Sequence, residues 1–227
     1  NAGVFVAASA GNSGPGADTV DHREPWTTTV AASTTDRQFS ATAYLSASNG
    51  DSIALTGASI TGALSTPAEV VVPADTLCAA PFPAGSVAGK VVVCQRGGPA
   101  RVQKSFNVQQ GGAVGMILYN PALQGVATDN HFLPTVHLEV NQGNQLTAFL
   151  AGHTGVTASL SAGSPATYDG DVMAPFSSRG GTGQSLGVSK PDVTAPGVQI
   201  LAGHTPTPAS VVGGPPGQLF QAIQGTS

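Results

Sequence analysis

Charge is what this sequence has least of. Asp, Glu, Lys and Arg make up 9 % of its 227 residues, against roughly 25 % in an average soluble protein. The formal net charge is -4 and the isoelectric point about 5.6, so no basic face exists to neutralise phosphates or anionic lipid. That excludes nucleic acid and charged membrane surfaces as partners. Long hydrophobic runs are also missing. None reaches the ~18 residues needed to span a bilayer, and no charged segment followed by an apolar stretch opens the chain. Residues 1–10 already read as a buried strand, so any export signal is expected upstream of them. Glycine-rich stretches at 85–90 and 180–187 match neither phosphate-loop spacing, which excludes nucleotide binding. There are only two cysteines, Cys78 and Cys94, and neither C-x-x-C nor a Cys/His metal spacing occurs. They flank short apolar runs that can lie side by side, which points to a disulfide; the alternative is two reduced core thiols.

What the sequence does have is small residues and short apolar runs. Gly3-Val4-Phe5-Val6-Ala7-Ala8 leads into Gly11-Asn12-Ser13-Gly14-Pro15, as a strand buried on both faces of a parallel sheet enters a loop. Residues 27–34 form a second such run, ended by Asp36 and Arg37, and a Ser/Thr/Ala-rich stretch of weaker alternation comes next. A block of strand-like runs follows at 69–72, 90–94, 114–119 and 135–138. Helices are predicted over 100–110 and over 141–151, the second capped by Asn141 and carrying an apolar stripe of Leu146, Phe149 and Leu150. After Gly170 the first pattern returns, with a strand over 172–176 and another over 192–195. The order is thus A, B, A, the signature of one domain inserted into a loop of another. The expected boundaries are 1–39, 40–168 and 169–227.

Several of these segments share a pattern. Ala8-Ser9-Ala10-Gly11-Asn12-Ser13-Gly14-Pro15, Pro25-Trp26-Thr27-Thr28-Thr29-Val30-Ala31-Ala32-Ser33-Thr34, Phe176-Ser177-Ser178-Arg179-Gly180 with Lys190-Pro191-Asp192-Val193-Thr194-Ala195-Pro196-Gly197, and Gly225-Thr226-Ser227 resemble, in order, the core motifs of subtilases. The block between them resembles a protease-associated domain through Gly89-Lys90-Val91-Val92-Val93-Cys94-Gln95-Arg96-Gly97 and Gly111-Gly112-Ala113-Val114-Gly115-Met116-Ile117-Leu118-Tyr119-Asn120. The resemblance implies an α/β fold, part of a doubly wound parallel-sheet subtilase domain interrupted by a mixed α/β protease-associated domain. It implies a secreted serine endopeptidase that hydrolyses peptide bonds in proteins through an acyl-enzyme. Ser227 would be the nucleophile and Asn12 the oxyanion donor, since attack by a serine Oγ builds negative charge on the carbonyl oxygen. Ser9, Ala10 and Gly11 would line the substrate wall with small side chains, leaving backbone groups free to pair with an extended substrate.

The motifs that carry the catalytic Asp and His of that family are not among these residues. His22, His131, His137, His153 and His204 all lack the surroundings of a catalytic base, so this chain by itself is expected to be inactive. Without the helix that normally follows the nucleophile and the strands that carry the Asp and His, the inserted domain is expected to be compact while its flanks pack loosely, swap between molecules or lie in non-native positions. Gly181 stands where the family often has proline, and Asp21-His22-Arg23-Glu24 puts charge where it usually keeps part of the primary specificity wall; Arg23 and Glu24 could also simply pair with each other. The resemblance further implies a cis Glu24-Pro25 peptide. No cofactor is expected, although Asp192 lies where some subtilases hold a weak cation and a structural calcium is compatible with the intact enzyme. The expected partner is a protein or peptide substrate. A different class of function is a protein- or peptide-binding module, with the inserted domain as the working unit and the flanks as scaffold.

Overall fold

The computed structural model describes residues 3–183 and 187–227. In chain order the strands are β1 Ala7–Ser9, β2 Thr28–Ser33, β3 Arg37–Ser46, β4 Ser52–Ala58, β5 Leu64–Val71, β6 Val91–Gln95, β7 Gly115–Tyr119, β8 Thr135–Leu138, β9 Thr157–Leu160, β10 Ser164–Thr167, β11 Val193–Pro196, β12 Ile200–Gly203 and β13 Phe220–Ile223. The helices are α1 Arg101–Gln110 and α2 Val140–Gly152. The chain divides into two compact units. One comprises Asn1–Gln38, Thr167–Leu201 and Ile223–Ser227, the other Phe39–Ala166 and Ala202–Ala222. Residues 202–222 therefore group with the second unit, not with the third sequence segment. Asn130 explains the attachment: its Nδ2 donates to Phe220 O at 2.9 Å, and a Cβ on Gly214 would lie 2.8 Å from Asn130 O.

In the first unit β2 lies between β1 and β11 and runs parallel to both. Small residues make this centre thin. Ala31, Ala32 and Ser33 are buried, and the turn at 174–178 approaches closely enough for Ala32 N to donate to Ser177 Oγ at 3.1 Å. The flanks are thus packed rather than loose: Ala10, Ala32, Ala174, Ser177 and Ser178 are wholly buried. Lys190 is buried with its ammonium on Thr27 O and Asp192 Oδ2, both at 2.6 Å. Two expected strands shrink. The first keeps only Ala7–Ser9, with Val4 and Phe5 75 % and 77 % exposed because no neighbouring strand pairs with them among the described residues. Residues 172–176 make a single bridge, Met173 to Ser33, before the chain turns. No helix covers this sheet among the described residues, so the α/β class is expressed here by the parallel strands alone. Residues 1–2 of the expected first strand and 184–186 of the glycine-rich loop lie outside the described residues.

The second unit is an eight-stranded sheet in the order β10-β3-β4-β8-β7-β6-β5-β9, with β9 also pairing β3, so that the sheet closes on itself. β5 to β8 form its parallel stretch, and the antiparallel hairpin of β3 and β4 adjoins β8. The continuous apolar runs of β6 and β7 follow from burial on both faces. Val91, Val93 and Ile117 face one cluster with Leu45, Leu55, Val136, Leu138 and Leu160. Val92, Cys94, Met116 and Leu118 face the other with Val108 of α1. Helix α2 packs Leu146 against the first cluster, with Phe149 and Leu150 partly buried beside it. Its cap is Glu139 rather than Asn141: the carboxylate accepts from Val140 N at 2.9 Å, the favourable placement for an anion at a helix N-terminus.

Cys78 and Cys94 form a disulfide, with Cα atoms 5.9 Å apart and 16 residues of sequence separation. It ties a surface loop to the buried β6. Closing a loop of this length stabilises by roughly 3 kcal/mol in the chain-entropy model. Replacing both cysteines by serine should lower the urea midpoint of this unit accordingly, and an unchanged midpoint would refute the estimate.

Candidate active site

The loop after β1 carries Asn12, and its shape begins with Gly11. At φ +97° this residue has the left-handed conformation that glycine tolerates. A Cβ there would sit 2.3 Å from Asp21 Oδ2 and 2.8 Å from Ser178 Oγ. Gly11 N then donates to Thr226 Oγ1 at 3.1 Å. Asn12 Oδ1 accepts from Thr226 N at 3.0 Å and from Thr226 Oγ1 at 3.1 Å. A backbone N–H can only donate, so it must face the amide oxygen, and this fixes the orientation of the side chain. Nδ2 makes no hydrogen bond among the described residues and is the group left to donate outward.

On the other side, Gly225 N donates to Gly197 O at 2.9 Å. A Cβ on Gly197 would lie 2.6 Å from Gly225 O. The stretch 225–227 thus runs past the end of β11, and Ser227 is exposed beside it. A cleft of about 460 Å³ opens here, lined by Ser9, Val30, Pro196, Gly197, Thr226 and Ser227 among others. It runs along β1 and the middle of β2 to the carboxyl end of β11. Asn12 and Ser227 are far apart in sequence, and the fold brings their segments together.

Of the three proposed wall residues, Ser9 lines this cleft while Ala10 and Gly11 are buried. Their backbone groups, expected to be free, are engaged. His22 Nδ1 lies 2.7 Å from Ser9 O, Ala10 pairs with Val30 O and Asp21 N, and Gly11 O accepts from Ser178 N at 2.9 Å. The cause is local: residues 19–24 fold back along the loop. Arg23 does not pair with Glu24. Its guanidinium holds Val20 O at 2.6 Å, Asp18 O and Gly183 O, while Glu24 Oε2 is buried without a hydrogen bond among the described residues. Among the described residues the cis peptides are at Gly14-Pro15 and Lys190-Pro191, not at Glu24-Pro25.

His22 is held on Ser9 O, and the other histidines have surroundings of their own. His153 lies against Phe149 O and Asp51 Oδ2, and these contacts raise its pKa. His204 Nε2 lies 2.7 Å from Gly213 O. Burial holds His131 and His137 neutral, lowering them to about 4 and about 3. Asp192 Oδ2 meets the Lys190 ammonium at 2.6 Å and Thr29 N at 2.7 Å. Among the described residues no group of three or more His, Cys, Asp or Glu gathers as a metal site.

Sequence reasoning missed the parts played by Thr226, Ser178 and His22. The first two stand inside the recognised motifs, but nothing in their spacing says which backbone group each hydroxyl meets. Thr226→Val in the whole protein should remove one of the two bonds on Asn12 Oδ1 and, with it, the acceptor of Gly11 N. At about 1.4 kcal/mol for such a bond, kcat should fall roughly tenfold, as steady-state kinetics on a peptide substrate would show.

Residues 66–146 match the PA domain family. Over 99 % of its length the chain is 36 % identical to Subtilisin-like protease SBT1.6 of Arabidopsis thaliana and 37 % identical to Subtilisin-like protease SBT1.4, covering 31 % and 30 % of those proteins. It is 30 % identical to the CO(2)-response secreted protease of the same plant, again over 99 % of this chain and 31 % of that one. The chain is therefore subtilisin-like serine protease sequence along nearly its whole length, with a PA domain set within it. It spans about a third of the length of these relatives.

Proposed function

We propose that in the whole protein these residues form the oxyanion side of a secreted serine endopeptidase, which cleaves protein substrates through an acyl-enzyme on Ser227. The observation that carries this reading is the pair of hydrogen bonds from Thr226 to Asn12 Oδ1. They occupy Oδ1 and leave Nδ2 as the donor, held one residue from the candidate nucleophile. When Ser227 Oγ adds to a peptide carbonyl, the oxygen gains charge that Asn12 Nδ2 and the Ser227 N–H can stabilise together. The proton from Oγ passes to a histidine held by a carboxylate. Both groups are expected from outside these residues: His22, His137, His153 and His204 have other hydrogen-bond partners and His131 is buried within the PA unit, so the chain alone should not hydrolyse peptides. Ser9 lines the cleft beside the scissile bond and is the substrate-facing member of Ser9, Ala10 and Gly11. Secretion is supported by the secreted relative and by the disulfide, which persists in oxidising compartments.

The test is active-site labelling of the whole protein with a fluorophosphonate probe. Modification should map to Ser227 and vanish in Ser227→Ala. A properly folded, full-length protein that is not labelled would remove the peptidase reading and favour the PA domain acting as a binding module.

A further inference from the structure

Asn12 can serve an oxyanion only if its backbone is held still. Useful donors lie about 2.7–3.1 Å from the developing oxygen, and a misplacement of about 1 Å can cost 10²-fold in rate. Thr226 orients the side chain, but the peptide groups on either side of Asn12 need their own anchor. Both find it in one residue. Ser178 Oγ accepts from Ser13 N at 3.0 Å, and Ser178 N donates to Gly11 O at 2.9 Å. Ser178 is wholly buried and so close to Gly11 that no Cβ fits between them. Its own position is set by the 174–178 turn, where Ser177 N donates to Ala174 O at 3.1 Å and Gly14 N donates to Phe176 O at 2.9 Å.

We propose that Ser178 is a positioning residue for the reaction: its hydroxyl and N–H clamp residues 13 and 11 and so fix where Asn12 Nδ2 points. This rests on the reading of Asn12 as oxyanion donor. Neighbouring Ser177 supplies a contrast. It has the same chemistry and the same burial, but its Oγ accepts from Ala32 N inside the sheet and does not touch the Asn12 loop. In Ser178→Ala the backbone half of the clamp survives and keeps the fold. Ser13 N–H is freed to solvent, because Ser13 is itself exposed, and the loop gains the freedom that the hydroxyl denied it.

The experiment uses the full-length enzyme with Asn12→Ala, Ser178→Ala, the double variant and Ser177→Ala. Each is read by kcat and KM on a peptide substrate, by inhibition with a peptide aldehyde whose adduct places an oxyanion in the hole, and by melting temperature. Ser178→Ala should lower kcat roughly tenfold, the effect of one hydrogen bond, with KM within about twofold, and should weaken the aldehyde by the same factor. The double variant should be no slower than Asn12→Ala, because a residue that acts only through Asn12 has nothing left to position. Ser177→Ala should lower the melting temperature and leave kcat unchanged. Multiplicative losses in the double variant, or a Ser178→Ala enzyme with lower melting temperature and normal kcat, overturn the proposal while leaving Asn12 in place. Normal kcat in Asn12→Ala removes the donor reading and the clamp with it. Should the alanine variant fail to fold, Ser178→Cys keeps the volume, weakens the acceptor and is read in the same way.

Discussion

Asn12→Leu in the whole enzyme should lower kcat by 10²–10³ while KM changes little, the cost found for removing one oxyanion donor in an enzyme of this class. The two constants separate because the amide binds the charged oxygen of the transition state more strongly than the neutral carbonyl of the bound substrate. A loss confined to the transition state appears in kcat and in kcat/KM alike. Leucine matches asparagine in shape but offers no donor. It also leaves Thr226 N and Oγ1 without their acceptor, so part of the loss comes from Thr226 relaxing and taking the Ser227 N–H with it. Asn12→Asp separates the two effects. It keeps an acceptor for Thr226 and places a negative charge beside the developing one, so it should be slower than the leucine variant if charge at this point governs the rate. Steady-state kinetics on one peptide substrate decides the matter. Unchanged kcat in Asn12→Leu would take Asn12 out of the mechanism.

The parts of this fold that were legible in the sequence are those whose burial is two-sided. β6 and β7 read directly as Val91-Val92-Val93-Cys94 and Met116-Ile117-Leu118, because both faces pack on apolar clusters. β3 and β4 did not, since their outward positions are largely Ser, Thr and Tyr and the inward ones of β3 are often only alanine: Ala41 and Ala43 beside Leu45. Alternation that weak says strand only once the partner strand is in place. The opposite error occurred at Val4 and Phe5, apolar enough for a core strand yet exposed for want of a paired neighbour among the described residues. At the site, the motifs placed Asn12 and the 225–227 segment together correctly. The bonds that connect them run between residues more than 200 apart, and no local pattern encodes which hydroxyl meets which amide. The cis proline carried over from the family failed for the same reason. Glu24-Pro25 follows a turn that Arg23 braces against Asp18 and Val20, contacts that no motif in the sequence announces.

Acid should destabilise the PA unit well above the carboxylate range, through His131 and His137. His137 is wholly buried; Ala127 N donates to its Nδ1 at 3.0 Å, and its Nε2 donates to Asn120 Oδ1 at 2.8 Å. His131 is also buried, its ring nitrogens have no hydrogen-bond partner among the described residues, and its Nε2 lies 3.9 Å from Asp129 Oδ2. Burial lowers both, to about 4 for His131 and about 3 for His137. The Arg101 guanidinium adds to this in each case, Arg96 acts on His137, and Asp129 opposes both but is itself taken by Arg101 at 2.5 Å and 2.9 Å. Above pH ~6.5 both imidazoles are neutral whether the unit is folded or not, so they add no pH dependence. Below it the unfolded chain binds two protons that the folded unit excludes, so stability falls as pH falls, by about 1.4 kcal/mol per pH unit for each histidine. From pH 7 to 5 the unfolding constant should rise roughly 20-fold per histidine, close to 4 kcal/mol for the two. Asp129, held low by Arg101 despite its burial, loses its contribution only below this window. His153 has the opposite sign, raised by Phe149 O and then Asp51, but it lies at the surface where solvent screens the pair. The measurement is native-state hydrogen exchange of the Ala127 amide, with urea, at pH 7, 6 and 5. His131→Phe removes a titrating ring that makes no hydrogen bond, and should halve the slope without lowering stability at pH 7. A stability that stays flat from pH 7 to 5, or a native His131 resonance titrating near 6.5, would show that these rings are not kept neutral by the fold.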